Sequence, residues 1–291
     1  MTRKRRRRKR RSNNPSSIQR RLIPCYIFLI IVSFFSVFPI FWMVTAATNS
    51  TVDIARGRIW FGNQALVNFK ALIEAASSQG AGTSLGGFLK NSFVYAITQT
   101  LLCIFLCSLA GYGFELYHDK LKDKLFGVLL MAMMVPQVAT LIPLFTMMSK
   151  LGFLNTIAGF MLPAISTPFM IMMFRQNSRN FPVDILEAAR IDGLREGSIF
   201  FRMFMPIMKS TYAAAAVITF MNAWNAYMWP RAVMTKNSSQ TMQILLTNLS
   251  NGYVVDYGLL MMAVLFCSAP TMIIFFVMQK QFAEGITGAV K

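Results

Sequence analysis

The sequence predicts an all-α, polytopic membrane protein with six transmembrane helices. Three observations carry that expectation. Of 291 residues, 55% are apolar and 14% charged, whereas soluble domains hold about 25% charged residues. Six apolar runs reach the ~17–25 residues needed to cross a bilayer. The charge is also one-sided: eleven of the 29 Lys and Arg residues fall in the first 21 positions.

Residues 1–21 form a polybasic tail containing "RKRRRRKRR". Such a run suits a nucleic-acid arm, a nuclear address or a cytoplasmic anchor beside a membrane helix. The apolar run that follows favours the anchor, so no nucleic-acid partner is expected. That run is too long for a signal-peptide core and lacks a clear small-x-small cleavage site, so it reads as a retained helix.

The predicted spans are residues 22–46, 92–114, 125–148, 157–174, 211–230 and 259–279. None carries a formal charge in its interior. Prolines recur within them, which membrane helices tolerate with a kink. With the N-terminus inside, the inner segments hold twenty-two basic residues and the outer ones seven, so both termini are expected in the cytoplasm. Residues 47–91 then form an outer loop. Its "ALVNFKALIEAA" places Leu66, Phe69, Leu72 and Ile73 on one side of a short surface helix. Residues 92–279 hold the remaining five spans and a cytoplasmic loop at 175–210. Residues 280–291 are a cytoplasmic C-terminal tail.

Several function classes lack parts. All eleven acidic residues sit in loops or at helix ends, so no mid-membrane proton relay is visible. A carbonyl-coordinated ion site at broken helices, and hence a self-sufficient ion-coupled transporter, stays open. There is no Gly-Lys dipeptide for a P-loop. With one histidine, no nucleophile–base set appears. Cys103 and Cys107 stand one helical turn apart but read as apolar packing, so neither a catalytic nor a metal site is expected.

The loop reads "FPVDILEAARIDGLREGSIFFRMFMP". Pro182 and Asp184 suit a first helical turn. Ile185, Leu186, Ala188, Ala189 and Ile191 continue an apolar-faced helix. Asp192-Gly193 ends it. A second helix runs through Ile199, Phe200, Met203 and Phe204, and Pro206 precedes the next span. Two short helices with a fixed turn form a rigid knob. Alanines at 188 and 189 allow close approach, and Glu187 lies i, i+3 from Arg190, so each can pair with the other or with a partner. A plain surface loop is the competing reading.

"EAARIDG", with Pro206 nineteen residues after Glu187, resembles the EAA motif of the membrane subunits of type I ABC importers. That pattern is E-A-A, three residues, G, nine residues, I-x-L-P. Glu187, Ala188, Ala189, Gly193 and Pro206 match, while Met203 and Met205 replace Ile and Leu. "NSFVYA", "PLFTMMSKLGFLNT", "WNAYMWPRAVMT" and "QKQFAEGITGAVK" extend the likeness to the maltose-type carbohydrate permeases, in particular the six-helix G-type partner. The polybasic tail departs from that pattern.

The resemblance implies a bacterial cell-membrane permease with the type I importer fold, forming half of a sugar pathway. It implies four kinds of partner: a second permease in a heterodimer, two copies of an ABC ATPase, an extracytoplasmic sugar-binding protein and membrane lipid. ATP and Mg would sit on the ATPase, with no cofactor in this chain. Glu187, Ala188, Ala189, Asp192, Gly193 and Pro206 would form the ATPase-coupling site, and the tail from Phe282 onward would also reach the ATPases. The segment with Asn248, Asn251, Gly252, Tyr253 and Asp256 would meet the binding protein. For the sugar itself, amides and aromatic faces are the natural ligands. Asn222, Asn225, Trp224, Tyr227 and Gln137 are the candidates, with Trp229 beside them. An interfacial aromatic belt with amides joining helices explains the same residues.

Overall fold

The protein is described by a computed structural model covering residues 15–117, 119–252 and 254–287, with side chains over 22–117, 119–252 and 254–279. The first fourteen residues of the polybasic tail, Tyr253 and the last four residues lie outside the described residues.

Every regular element among the described residues is a helix. α1 (Pro15–Ala46) is followed by the short α2 (Thr51–Ala55) and by α3 (Ala65–Ser77). α4 (Leu85–Leu116) starts on Ser84, whose hydroxyl accepts from the Gly87 N–H at 3.1 Å. α5 (Lys120–Ala132) is capped by Asp119, and α6 (Gln137–Lys150) follows after a break. α7 (Ile157–Met161) continues into a 3-10 turn, and α8 (Pro168–Ser178) follows on a Thr167 cap. α9 (Val183–Ile191), α10 (Glu196–Ile199), a π turn (Phe200–Phe204) and α11 (Met205–Ile207) build the loop region. α12 (Lys209–Trp224), α13 (Met228–Val233), α14 (Met242–Ser250) and α15 (Tyr257–Thr287) complete the fold.

The six predicted spans become three long helices and three bent pairs. α1, α4 and α15 are each long and apolar enough to cross a membrane. The third predicted span is folded by 101° between α5 and α6, at the Met133–Pro136 break. The fourth is bent by 52° ahead of Pro168, and just ahead of the fifth an 81° bend at Met208 sets α12 off from the segment Glu196–Ile207. The fifth span also ends sooner than predicted. α12 stops at Trp224, and residues 225–227 separate it from α13. Pro230, with no N–H to donate, falls inside that short second helix.

α4 is the hub. It packs along α8 and α12, and α12 packs along α15. Cys103 and Cys107 are buried among Met170, Ile171, Phe174 and Ala215. α3 packs on α15, so its buried face differs from the predicted one. Leu72 and Phe69 point inward, Phe69 stacking on Phe266 at 5.3 Å, but Leu66 and Ile73 are exposed and Asn68 and Ala76 are buried instead. Asn68 earns its place by donating to the carbonyls of Ala47 and Asn49, both at 2.9 Å.

Two features lock α4 to α8. A Cβ on Gly111 would lie 2.6 Å from Phe174 Cβ and 2.7 Å from the Arg175 backbone nitrogen. Beside it, Arg175 is only 7% exposed. Its guanidinium donates to Glu115 at 3.1 Å and to Asp123 at 2.7 Å, and stacks over Phe126 at 4.2 Å. Arg175 therefore belongs to the interior of the helical bundle rather than to a free loop, because α8 runs on to Ser178.

A Gly111→Ala substitution should lower thermal stability in detergent, by roughly 1–3 kcal/mol for forced overpacking. Gly113→Ala, whose Cβ would meet nothing within 4 Å, should be neutral or stabilising through helix propensity. Equal melting temperatures for the two variants would show that the α4–α8 approach is not tight.

Candidate functional site

The loop region folds as the predicted knob. α9 ends in a Schellman motif: the Gly193 N–H donates to the Arg190 carbonyl, and the Leu194 N–H to Ala189, both at 3.0 Å. Gly193 adopts φ +76° with open space where a Cβ would be. Only backbone conformation, and not crowding, calls for glycine there. Further on, Pro206 has no N–H to extend the helical ladder. Ahead of it the turn widens, and the Met205 N–H reaches back to the Phe200 carbonyl.

The inner side of the knob is mostly apolar. Leu186, Ala189, Ile199, Phe200 and Phe204 are buried against Tyr112 and Phe181. The Tyr112 ring meets Phe200 edge-on at 5.2 Å and Phe204 at 4.8 Å. The knob is thus welded to the C-terminal end of α4.

The outer side carries Asp184, Glu187, Ala188 and Ile191, spaced i, i+3, i+4, i+7 and all exposed. Asp192, Gly193 and Pro206 are exposed too. Two expectations need correction. Ala189 faces the knob's own core, so only Ala188 is available to an outside surface. Ile191 is 86% exposed and lies off the apolar face. The i, i+3 pairing of Glu187 with Arg190 does not form within the chain: Arg190 instead donates to Glu196 at 2.8 Å and stacks over Tyr117. Glu187 has no ion-pair partner among the described residues. The Tyr117 phenol and the Arg190 guanidinium hold the Glu196 carboxyl below its ordinary range, while burial raises the Tyr117 hydroxyl.

A cavity of about 730 Å³ opens in the middle of the bundle. Three helix breaks reach it: Gln137 after the α5–α6 break, Thr167 before α8, and Tyr227 between α12 and α13. Irregular backbone at membrane depth is tolerated where it lines such a space. Gln137, Asn222 and Tyr227 are therefore brought together. Trp224 and Asn225 are not. Trp224 is buried and donates to the Cys267 carbonyl at 2.9 Å, and Asn225 accepts from Gln243 at 3.1 Å. Both join helices, as the alternative reading of the segment allowed. Sequence reasoning missed Gln99, Thr167 and Thr219 on the cavity wall. Gln99 and Thr219 are lone polar residues in apolar helices, and that was the available signal.

The remaining candidates fall at the opposite end of α4 from the knob. Asn248 is half-buried on α14, donating to Gln79 at 3.0 Å. Asn251 and Gly252 form an exposed tip with Val254. Asp256 is a cap: it accepts from the Gly258 and Leu259 N–H groups that start α15, and from Thr51 at 2.7 Å.

Comparison with known proteins agrees with this architecture. Residues 104–288 match the family described as "Binding-protein-dependent transport system inner membrane component". The lactose transport system permease protein LacG of Rhizobium radiobacter is 41% identical over 278 residues, covering 95% of this chain and 99% of that protein. The arabinooligosaccharides transport system permease protein AraQ of Bacillus subtilis is 36% identical over 202 residues, 69% of this chain and 72% of that one. The sn-glycerol-3-phosphate transport system permease protein UgpE of Yersinia pestis is 27% identical over 271 residues, 92% and 96% respectively. Among solved structures, a chain of a bacterial ABC transporter involved in alginate import superposes with a TM-score of 0.76, covering 91% of this chain and 98% of that one. At 17% identity that likeness speaks for the fold alone. A family match over most of the chain and a 41% identical relative along nearly its whole length lead to one conclusion: this multi-pass membrane protein belongs to the binding-protein-dependent transport system inner membrane components.

Proposed function

We propose that the chain is a permease subunit of an ATP-driven sugar importer, forming half of the pathway and receiving its driving force through the α9 knob. The observation that carries this reading is the two-sided knob. Its inner face is fixed to α4 by edge-on aromatic contacts, and its outer face leaves Glu187, Ala188 and Ile191 uncovered. A partner that grips the outer face moves α4 and α12 with it, since neither can slip against a packed core.

In this reading the partners are a second permease, two ATPase subunits that carry the ATP and Mg, and a sugar-binding protein that meets the tip around Asn251. Hydrolysis belongs to the ATPases, not to this chain. Both termini and the knob lie in the cytoplasm, with the sugar path through the central cavity. The names of two relatives, for lactose and arabinooligosaccharides, support sugar as the cargo class, while UgpE is named for a polyol phosphate, sn-glycerol 3-phosphate. A self-sufficient ion-coupled carrier is not favoured, because it has no use for the knob.

Co-expression with its neighbouring genes should co-purify this chain with a P-loop ATPase and a second permease. ATP-independent uptake by this chain alone in liposomes would defeat the reading. Glu187→Lys should uncouple ATP hydrolysis from uptake while the protein still inserts. Gly193→Ala should weaken the coupling less than Gly193→Pro. The first imposes a left-handed cost of about 1–2 kcal/mol, and the second also removes the N–H that closes the Schellman turn. Wild-type uptake in both Glu187→Lys and Gly193→Pro would remove the docking role. Asn222→Leu should depress uptake several-fold more than Asn225→Leu, because only Asn222 faces the cavity. The opposite order would displace the pathway from this cavity.

A further inference from the structure

We propose that Tyr117, at the C-terminal end of α4, is a positioning residue for coupling. Its ring joins the knob to α5, so that a partner's grip on α9 reaches the α5–α6 wall of the cavity as well as α4 and α12. This rests on the transport reading above and deepens it by naming the residue through which a third wall is moved.

Four elements meet at this side chain. Tyr117 ends α4, its N–H donating to the Gly113 carbonyl at 3.3 Å. Its ring centre lies 5.5 Å from the Arg190 guanidinium of α9 and 5.8 Å from the Lys122 ammonium of α5. A cation over an aromatic face is attracted by the ring's quadrupole. Lys122 also donates to the Tyr117 carbonyl. The ring meets Tyr112 edge-on at 5.9 Å, at the knob's core. The phenol faces Glu196 of α10, whose carboxyl it draws below the ordinary range together with Arg190. Arg190 and Glu196 close the set with their own ion pair at 2.8 Å.

α5 needs such a fastening. None of its residues is buried, and it packs chiefly on α4 and α8. Asp123 pairs with Arg175 at 2.7 Å, and Phe126 lies under the same guanidinium and against Phe114 at 5.6 Å. Those contacts tie α5 to the bundle interior. The partners of Arg175 sit on α4 and α5, and none sits on the knob. The tie to the knob is Tyr117 with Lys122. Beside it, Ala110, Gly113, Phe114, Tyr117 and Lys122 line a hollow of about 320 Å³. Here the ring and the cation, not close packing, hold α5 to the end of α4.

The consequence lies at the far end of α5. There the chain bends by 101° into α6, whose first residue, Gln137, lines the cavity. The arm between clamp and bend has thirteen residues, about 20 Å at 1.5 Å per residue. A tilt imposed at its start is therefore a displacement at the cavity wall. Tyr117 is half-buried. Trimming it leaves the buried rings of Tyr112, Phe200 and Phe204 in place, so a loss of coupling is separable from a loss of fold.

The test uses the full transporter, with its ATPases and binding protein, in nanodiscs. A bimane fluorophore on Val135→Cys, an exposed site at the α5–α6 break, reports on that wall. Cys25→Ser removes the exposed native thiol. ATP with vanadate should shift the bimane emission in this background. Tyr117→Phe, which keeps the ring, should preserve the shift. Tyr117→Leu should shrink it roughly threefold or more, the scale on which mutations along a coupling route act, while ATP hydrolysis continues and the melting temperature holds. Lys122→Met, which leaves ring and knob in place, should shrink it likewise. A full shift in either Tyr117→Leu or Lys122→Met would overturn the proposal, as would a Tyr117→Phe protein as defective as Tyr117→Leu. A background protein that shows no shift yet imports a solute with ATP would overturn this proposal alone. One that neither shifts nor imports any solute with ATP would bring down the transport reading, and this proposal with it.

Discussion

The contact on which the rest of this structure depends is the seam between α4 and α8. At Gly111 the two backbones come so close that a single methyl group would collide with Phe174 and Arg175. One residue further along the seam, the Arg175 guanidinium is taken out of solvent and answered by Glu115 from α4 and Asp123 from α5. A buried charge is tolerable only when paired. The pairing therefore fixes where three helices end, and glycine fixes how closely two of them run.

From that seam the two candidate sites are laid out along α4. Its C-terminal end holds the knob through Tyr112. Its middle presents Gln99 and Cys103 to the cavity. Nine helical residues, about 14 Å at 1.5 Å per residue, separate Cys103 from Tyr112. α12 follows the same plan, joined to the knob through Met208 and lining the cavity with Thr219 and Asn222. The knob and two walls of the cavity are thus carried by the same two helices, which share a packed core. The breaks ahead of Pro136 and Pro168, and the one at residues 225–227 between α12 and α13, give the cavity its irregular backbone.

α1 stands apart from this arrangement. Its residues from Leu22 to Ile40 are exposed along almost their whole length, and it meets α15 only near its C-terminal end. An apolar helix with so little internal packing draws its stability from what surrounds the bundle, bilayer or neighbouring subunit.

The sequence by itself determined the class. Long uncharged apolar runs can be satisfied only by membrane helices, and Gly193 after an acidic-start apolar segment can only end a helix. Those are local effects, so local spacing reveals them. It did not reveal that Ala189 points inward while Ile191 points out, or that Trp224 and Asn225 bind helices together while Asn222, only two and three residues away, faces a cavity. Nor did it separate Arg175 from the loop charges it was grouped with. Tertiary structure alone decided these, because which side of a helix meets a neighbour depends on partners in other elements, from Gln243 eighteen residues beyond Asn225 to Glu115 sixty residues before Arg175, and no periodicity along one segment records them.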